Sequence, residues 1–193
     1  MSLTSVVVGW VVVEVPDVRD ARRIAILSTA SGCGKTTLAK RLAPLIDAPF
    51  IELDAMVHGP QWRETPTDEL LARLEPILAA ERWVIDGNYR GKIGDAVVSR
   101  ADVVLWLDLS IRVWLPRLVR RTARRVVTRE PLWNGNRETL RGVLLGADSV
   151  LVHALRTHRS RRAKWPAELA RFPLVRLRTP REVEALVARI ASR

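Results

Sequence analysis

A chain of 193 residues with 48% hydrophobic content can bury one sizeable core, and no Pro/Gly/Ser-rich linker divides it. Its single cysteine excludes an internal disulfide framework and fits a reducing, cytoplasmic compartment. The 32 Lys and Arg against 21 Asp and Glu leave a formal net charge of +11, which favours anionic partners, nucleotide phosphates or nucleic acid, without choosing between them.

The first apolar stretch, residues 6–13, has no basic residue before it and is soon followed by Glu14, Pro16 and Asp17. It is too short to span a membrane and lacks the charged start of a secretory signal. Residues 1–22 therefore read as an extension, either an added edge strand or a segment packed on the core. Residues 23–193 read as one domain with no membrane contact.

Residues 23–27 form an apolar run suited to a buried strand, and Leu38, Leu42 and Leu45 recur at helical spacing. Between them lies Ser31-Gly32-Cys33-Gly34-Lys35-Thr36-Thr37, a tight glycine loop between strand and helix. In that setting backbone N–H groups around residues 32–36 turn inward on an anion, aided by the partial positive charge of the helix N-terminus. Lys35 is placed to reach the outer phosphates of ATP, and the Thr36 hydroxyl to ligate Mg2+. Thr29 stands where the pattern G-x-x-x-x-G-K-[ST] has its first glycine, which leaves the geometry at the start of the loop open. Cys33 admits two readings: a thiol of lowered pKa at a helix N-terminus, or a small residue filling a tight loop.

Residues 48–54 read as a second strand ending in Asp54, which would face the same crevice as Lys35 and could orient or deprotonate an acceptor hydroxyl, bind magnesium through water, or simply cap a turn. Residues 56–66 lack periodicity and read as a loop over the acceptor, with Trp62 and Arg63 as contacts, or as a surface loop anchored by one tryptophan. A scaffold helix follows over residues 67–80, with Leu70, Leu71, Leu74, Ile77 and Leu78 on its apolar face. Next, Trp83-Val84-Ile85-Asp86-Gly87 is a short strand ending in a second metal candidate, Asp86, unless Asp-Gly is a plain turn. Arg90 could pair with an acceptor phosphate in bidentate fashion.

Residues 101–108 are a further buried strand. The helix over residues 111–128 carries Arg117, Arg120, Arg121, Arg124 and Arg125 on one stripe, while Leu115, Val119, Thr122 and Val126 form another face expected to pack. Such crowded guanidinium groups call for phosphate near part of the stripe, or else form a solvated face. Residues 129–146 are polar and turn-rich and read as a lid. A basic helix over residues 150–162 adds Arg156 as a nucleotide-binding candidate, beside Arg159, Arg161 and Arg162. Residues 172–177 read as the last strand and 180–190 as a closing helix. His58, His153 and His158 lack ligand spacing, which argues against zinc, and Trp83, Trp106 and Trp114 fall in apolar runs suited to the core.

The order Gly32-Cys33-Gly34-Lys35-Thr36-Thr37, Leu53-Asp54, Asp86-Gly87-Asn88-Tyr89 and Leu107-Asp108-Leu109 resembles the adenylate-kinase-related P-loop proteins often labelled topology modulation protein, over residues 23–190. More distantly, Asp86-Gly87-Asn88-Tyr89-Arg90 resembles the Asp-Gly-Phe-Pro-Arg string of nucleoside monophosphate kinases, whose arginine binds the acceptor phosphate. Asn88 and Tyr89 depart from it. The resemblance implies an α/β fold with a five-stranded parallel sheet in the order 2-3-1-4-5, flanked by helices and carrying a short lid. It also implies that Arg117 and Arg121 hold phosphate and stack on adenine.

Two functions compete on these residues. One is a magnesium-dependent phosphotransferase moving the γ-phosphate of ATP to a small acceptor, with Lys35, Asp54, Arg90, Arg117 and Arg121 in the chemistry and Thr36 and Asp86 at the metal. The other is a nucleotide-gated nucleic-acid-binding protein using Arg124, Arg125, Arg161 and Arg162. Either is expected to be a monomer or a weak homodimer.

Overall fold

The computed structural model describes residues 3–8, 11–137 and 149–192, with 3–8 and 11–16 described by their backbone path only. The valine-rich start forms an antiparallel hairpin, β1 (Leu3–Val8) and β2 (Val11–Pro16), with Val8 opposite Val11. These strands satisfy each other's backbone groups in a two-stranded sheet of their own, so the expected edge strand does not join the main sheet. The chain then docks on the domain: Val18 and Ala21 enter the core, and Arg189 holds the buried Asp17 at 3.2 Å.

The main sheet is built from β3 (Arg23–Ser28), β4 (Phe50–Glu52), β5 (Trp83–Asp86), β6 (Val103–Leu107) and β7 (Leu174–Leu177), all parallel, in the spatial order β4-β5-β3-β6-β7. Counted from β3 this is the order 2-3-1-4-5. Strands apolar on both faces require cover on both sides. Ile24 and Ile26 point into a cluster with Leu38 and Leu42 of α1 (Lys35–Leu45), while Ala25 and Leu27 point into the opposite one. That second cluster takes Leu53 of α2 (Leu53–Val57), Leu70 and Leu74 of α3 (Thr67–Ala79), and Ile93 of α4 (Arg90–Ile93).

On the α1 side the cover is completed by α5 (Ile111–Thr128) and α7 (Pro180–Ala191). Between them, α6 (Val150–Glu168) has Ala154 in the first cluster and Trp165 in the second, so it passes from one face of the sheet to the other. The apolar face of α5 is rotated from the one expected, keeping Thr122 and a partly buried Leu115. Trp114, Leu118 and Thr122 are buried, whereas Val119 is 47% exposed. Trp114 and Leu118 offer more apolar area than Leu115 and Val119, and Gly32 lets α5 approach closely along that line. Residues 138–148 of the expected lid lie outside the described residues. Among the described residues no helix is long and apolar enough to cross a membrane.

Candidate active site

The glycine loop joins the carboxyl end of β3 to the first turn of α1. Gly32 (φ +86°) and Gly34 (φ +93°) both adopt the left-handed conformation. A Cβ on Gly32 would lie 2.7 Å from the Trp114 carbonyl oxygen, whereas one on Gly34 would meet nothing within 4 Å. Thr29 has no positive φ, so glycine is not needed there. Instead its amide and hydroxyl both donate to the Leu107 carbonyl, at 3.1 and 3.3 Å, tying the start of the loop to β6. Cys33 is 3% exposed, and burial pushes its thiol pKa up, so the expectation of a lowered value fails and the loop-filling reading holds.

Asp86, 1% exposed at the end of β5, is the electrostatic centre. It accepts a hydrogen bond from the Thr36 hydroxyl at 2.6 Å, and its Oδ1 lies 3.6 Å from Lys35 Nζ. Burial raises its carboxyl pKa, opposed chiefly by the Lys35 charge. Oδ1 has no hydrogen-bond partner. A buried carboxylate with an unsatisfied oxygen beside a threonine hydroxyl fits a Mg2+ ion that keeps most of its ligands as water and phosphate. Glu52, which is not among the expected site residues, adds a carboxylate 3.4 Å from Thr36 Oγ1. Among the described residues no group of three His, Cys, Asp or Glu side chains gathers as an all-protein cage.

Each residue of Asp86-Gly87-Asn88-Tyr89 has a distinct contact. A Cβ on Gly87 would fall 2.6 Å from Leu53 Cβ, so α2 packs directly on its backbone. Asn88 accepts from the Ser28 amide at 2.9 Å and donates back to the Ser28 carbonyl at 3.0 Å, locking the turn after β5 onto the end of β3. The Tyr89 hydroxyl donates to Asp54 and lies 2.9 Å from His58 Nε2. Burial and the Asp54 charge push the Tyr89 pKa far up, so the phenol stays protonated; donating to Asp54, it accepts from His58. The strand ends at Glu52, and Asp54 stands in the first turn of α2. His58, which lacks the spacing of a zinc ligand, is therefore part of the site through this hydrogen bond. Its legible signal was its position four residues after Asp54.

The loop, Lys35, Thr36, Glu52, Asp54, His58, Asn88 and Tyr89 line one crevice of about 1580 Å³. Its lining takes in all of Ser31 through Thr37, and Arg117 and Arg121 of α5. Two expected arginines are not among its lining. Arg90 places Nε and Nη2 on Asp95, at 2.7 and 2.6 Å, and Nη1 on Glu168 at 2.9 Å. Arg156 is exposed on α6. Arg161 takes its place at the loop, donating to the Ser28 and Thr29 carbonyls at 3.3 and 3.4 Å and stacking 5.2 Å from the Trp165 ring centroid. Burial lowers its pKa to about 10. Arg162 pairs with the buried Asp108 at 3.1 Å, and Arg124 with Glu130 at 3.0 Å, so Arg124, Arg161 and Arg162, assigned to nucleic acid in one reading, have internal contacts. Trp62 lines the crevice; Arg63 is exposed and does not.

No family model and no curated protein sequence matches the chain. Solved structures do. A shikimate kinase from Bacteroides thetaiotaomicron superposes with a TM-score of 0.53 at 17% identity, covering 89% of this chain and 97% of that one. A sugar kinase from Janibacter sp. HTCC2649 gives 0.51 at 19% identity, covering 89% and 93%. Deoxyadenosine kinase from M. mycoides with bound dATP gives 0.51 at 13% identity, covering 88% and 97%. At such identities the likeness is one of architecture, and the chain has the fold of the small-molecule P-loop kinases.

Proposed function

We propose that the chain is an ATP- and Mg2+-dependent phosphotransferase acting on the hydroxyl of a small acceptor. The observation that carries this reading is that the glycine loop, Lys35 and Thr36 with the buried Asp86 directly behind them, and the Asp54–Tyr89–His58 chain meet at one crevice. The neighbours in fold, named as kinases of shikimate, deoxyadenosine and sugars, support it. So does the Asp-Gly-Asn-Tyr string, which would place the chain beside the topology modulation proteins.

The loop amides and Lys35 bind the β- and γ-phosphates, and Arg117 and Arg121 approach from α5 to neutralise charge that builds as the γ-phosphoryl group moves. Thr36 and Asp86 would hold magnesium, which supplies further positive charge against the phosphate oxygens. Tyr89 occupies Asp54 Oδ1, leaving Oδ2 for the acceptor hydroxyl. As the acceptor oxygen bonds to phosphorus and the bond to the ADP oxygen breaks, the hydroxyl proton passes to Asp54.

Lys35→Ala tests the assignment through ADP release. The variant is expected to lose about 100-fold or more of turnover while staying folded, with a cooperative urea transition, and full retention of activity would overturn the reading.

A further inference from the structure

Resting on that reading, we propose that the acceptor is an uncharged, hydroxyl-bearing ring, of the sugar, cyclitol or nucleoside class, stacked on an aromatic wall of Trp62 and Trp133, and that phosphorylated acceptors are excluded. Three observations converge on it.

The first is the disposition of charge on the acceptor side. A phosphorylated acceptor needs a cation, yet Arg90 is held by Asp95 and Glu168 outside the crevice, and Asp95 is further bound by Arg171. Lys92 donates to Glu64 at 2.8 Å. Arg137 lines the crevice, as Lys92 does, but is exposed, where solvent and salt screen its charge. The charges bearing on Tyr89 come from Asp54, Glu64 and Asp86, all of them negative. A second phosphate dianion would meet this field without a buried counter-charge.

The second is the wall itself. The rings of Trp62 and Trp133 lie 5.4 and 6.0 Å from the His58 ring, and all three line the crevice beside Tyr89. Flat apolar faces next to a carboxylate that accepts from hydroxyls suit a ring whose C–H face stacks and whose hydroxyls hydrogen-bond.

The third is the effort by which that wall is held. Gln61 (φ +57°) and Trp62 (φ +59°) are both left-handed non-glycine residues, a conformation retained only where the surroundings enforce it. Asn136 accepts from the Trp62 amide at 2.9 Å and donates to the Gly59 carbonyl at 2.8 Å, while Asn134 donates to the His58 carbonyl at 2.6 Å. The result is a tryptophan left 41% exposed, at the crevice, on a strained and cross-braced backbone.

Calorimetric titration of the full chain, loaded with a non-hydrolysable ATP analogue and magnesium, tests this with matched pairs: adenosine and AMP, thymidine and dTMP, glucose and glucose 6-phosphate, inositol and inositol 1-phosphate. One uncharged member is expected to bind about tenfold or more tighter than its phosphorylated partner, a difference of about 1.4 kcal/mol. Trp62→Ala should weaken that binding about 3- to 10-fold, with ATP affinity unchanged. The inference is overturned if a phosphorylated member binds as tightly or tighter, above all if Arg137→Ala abolishes that binding, or if no uncharged member binds. ADP release separates the two ideas: binding of an uncharged ring without release would overturn the phosphotransferase reading alone, and release driven by a phosphorylated acceptor would overturn this inference alone.

Discussion

Alanine at Gly32 and at Gly34 perturbs the glycine loop in two different ways, and the structure separates their costs. Both positions have positive φ, +86° and +93°, so each variant carries backbone strain of about 1–3 kcal/mol. At Gly32 the new Cβ also lies 2.7 Å from the Trp114 carbonyl oxygen and 3.0 Å from Leu118 Cβ, so α5 must shift. Overpacking of that kind adds about 1–3 kcal/mol, bringing Gly32→Ala to about 2–6 kcal/mol. At Gly34 nothing lies within 4 Å, and the residue lines the crevice, so the methyl group enters the phosphate site instead of the core. Urea unfolding without nucleotide should place Gly32→Ala below Gly34→Ala by about 1–3 kcal/mol. Repeating it with Mg-ATP at 100 times the wild-type Kd should stabilise the wild type by about 2.7 kcal/mol and Gly34→Ala by much less. Equal losses without nucleotide, or full protection of Gly34→Ala, would refute the assignment of the two glycines to packing and to phosphate.

Asp86→Asn should abolish Mg-dependent turnover while leaving the nucleotide-free urea midpoint at pH 7 unchanged or raised. Burial holds the folded-state pKa of Asp86 above its ordinary value, so its contribution to stability is complete below the ordinary carboxylate range and is lost as pH rises through the folded-state value. The advantage of the variant should accordingly shrink as the pH falls toward 4, and a large loss of stability at pH 7 would contradict this balance. Cys33, buried and with its thiol pKa raised, should alkylate with iodoacetamide about tenfold or more slowly than a free thiol at neutral pH and quickly once urea opens the loop. Rapid labelling of the folded protein would place the thiol at the surface.

The glycine loop and Asp86 were legible because their chemistry fixes residue types at fixed spacing. A backbone that must turn on phosphate needs glycine, lysine and threonine in that order, and an acid closing a buried strand beside it needs no tertiary knowledge. What the sequence left open depends on how helices rotate and cross. The period along α5 admits both Leu115-Val119-Thr122-Val126 and Trp114-Leu118-Thr122 as the packed face; they share Thr122, and the contact of Gly32 with α5 centres the packing on Trp114 and Leu118. Likewise, that Arg161 and not Arg156 reaches the loop follows from the passage of α6 across the sheet, which no local pattern encodes. Arg90 had one visible partner, Asp95, five residues on, but Glu168 comes from the far end of α6. The Asp54–Tyr89–His58 chain joins α2 to the turn after β5, so two thirds of it were readable as residues and none of it as a network.

The most direct test of the central claim follows the labelled γ-phosphate of ATP in the presence of magnesium and the uncharged ring selected by calorimetry. The account predicts that the label appears on a hydroxyl of that acceptor, in step with ADP, and that Lys35→Ala transfers none. Label recovered only as free phosphate, or transfer undiminished in Lys35→Ala, would contradict it.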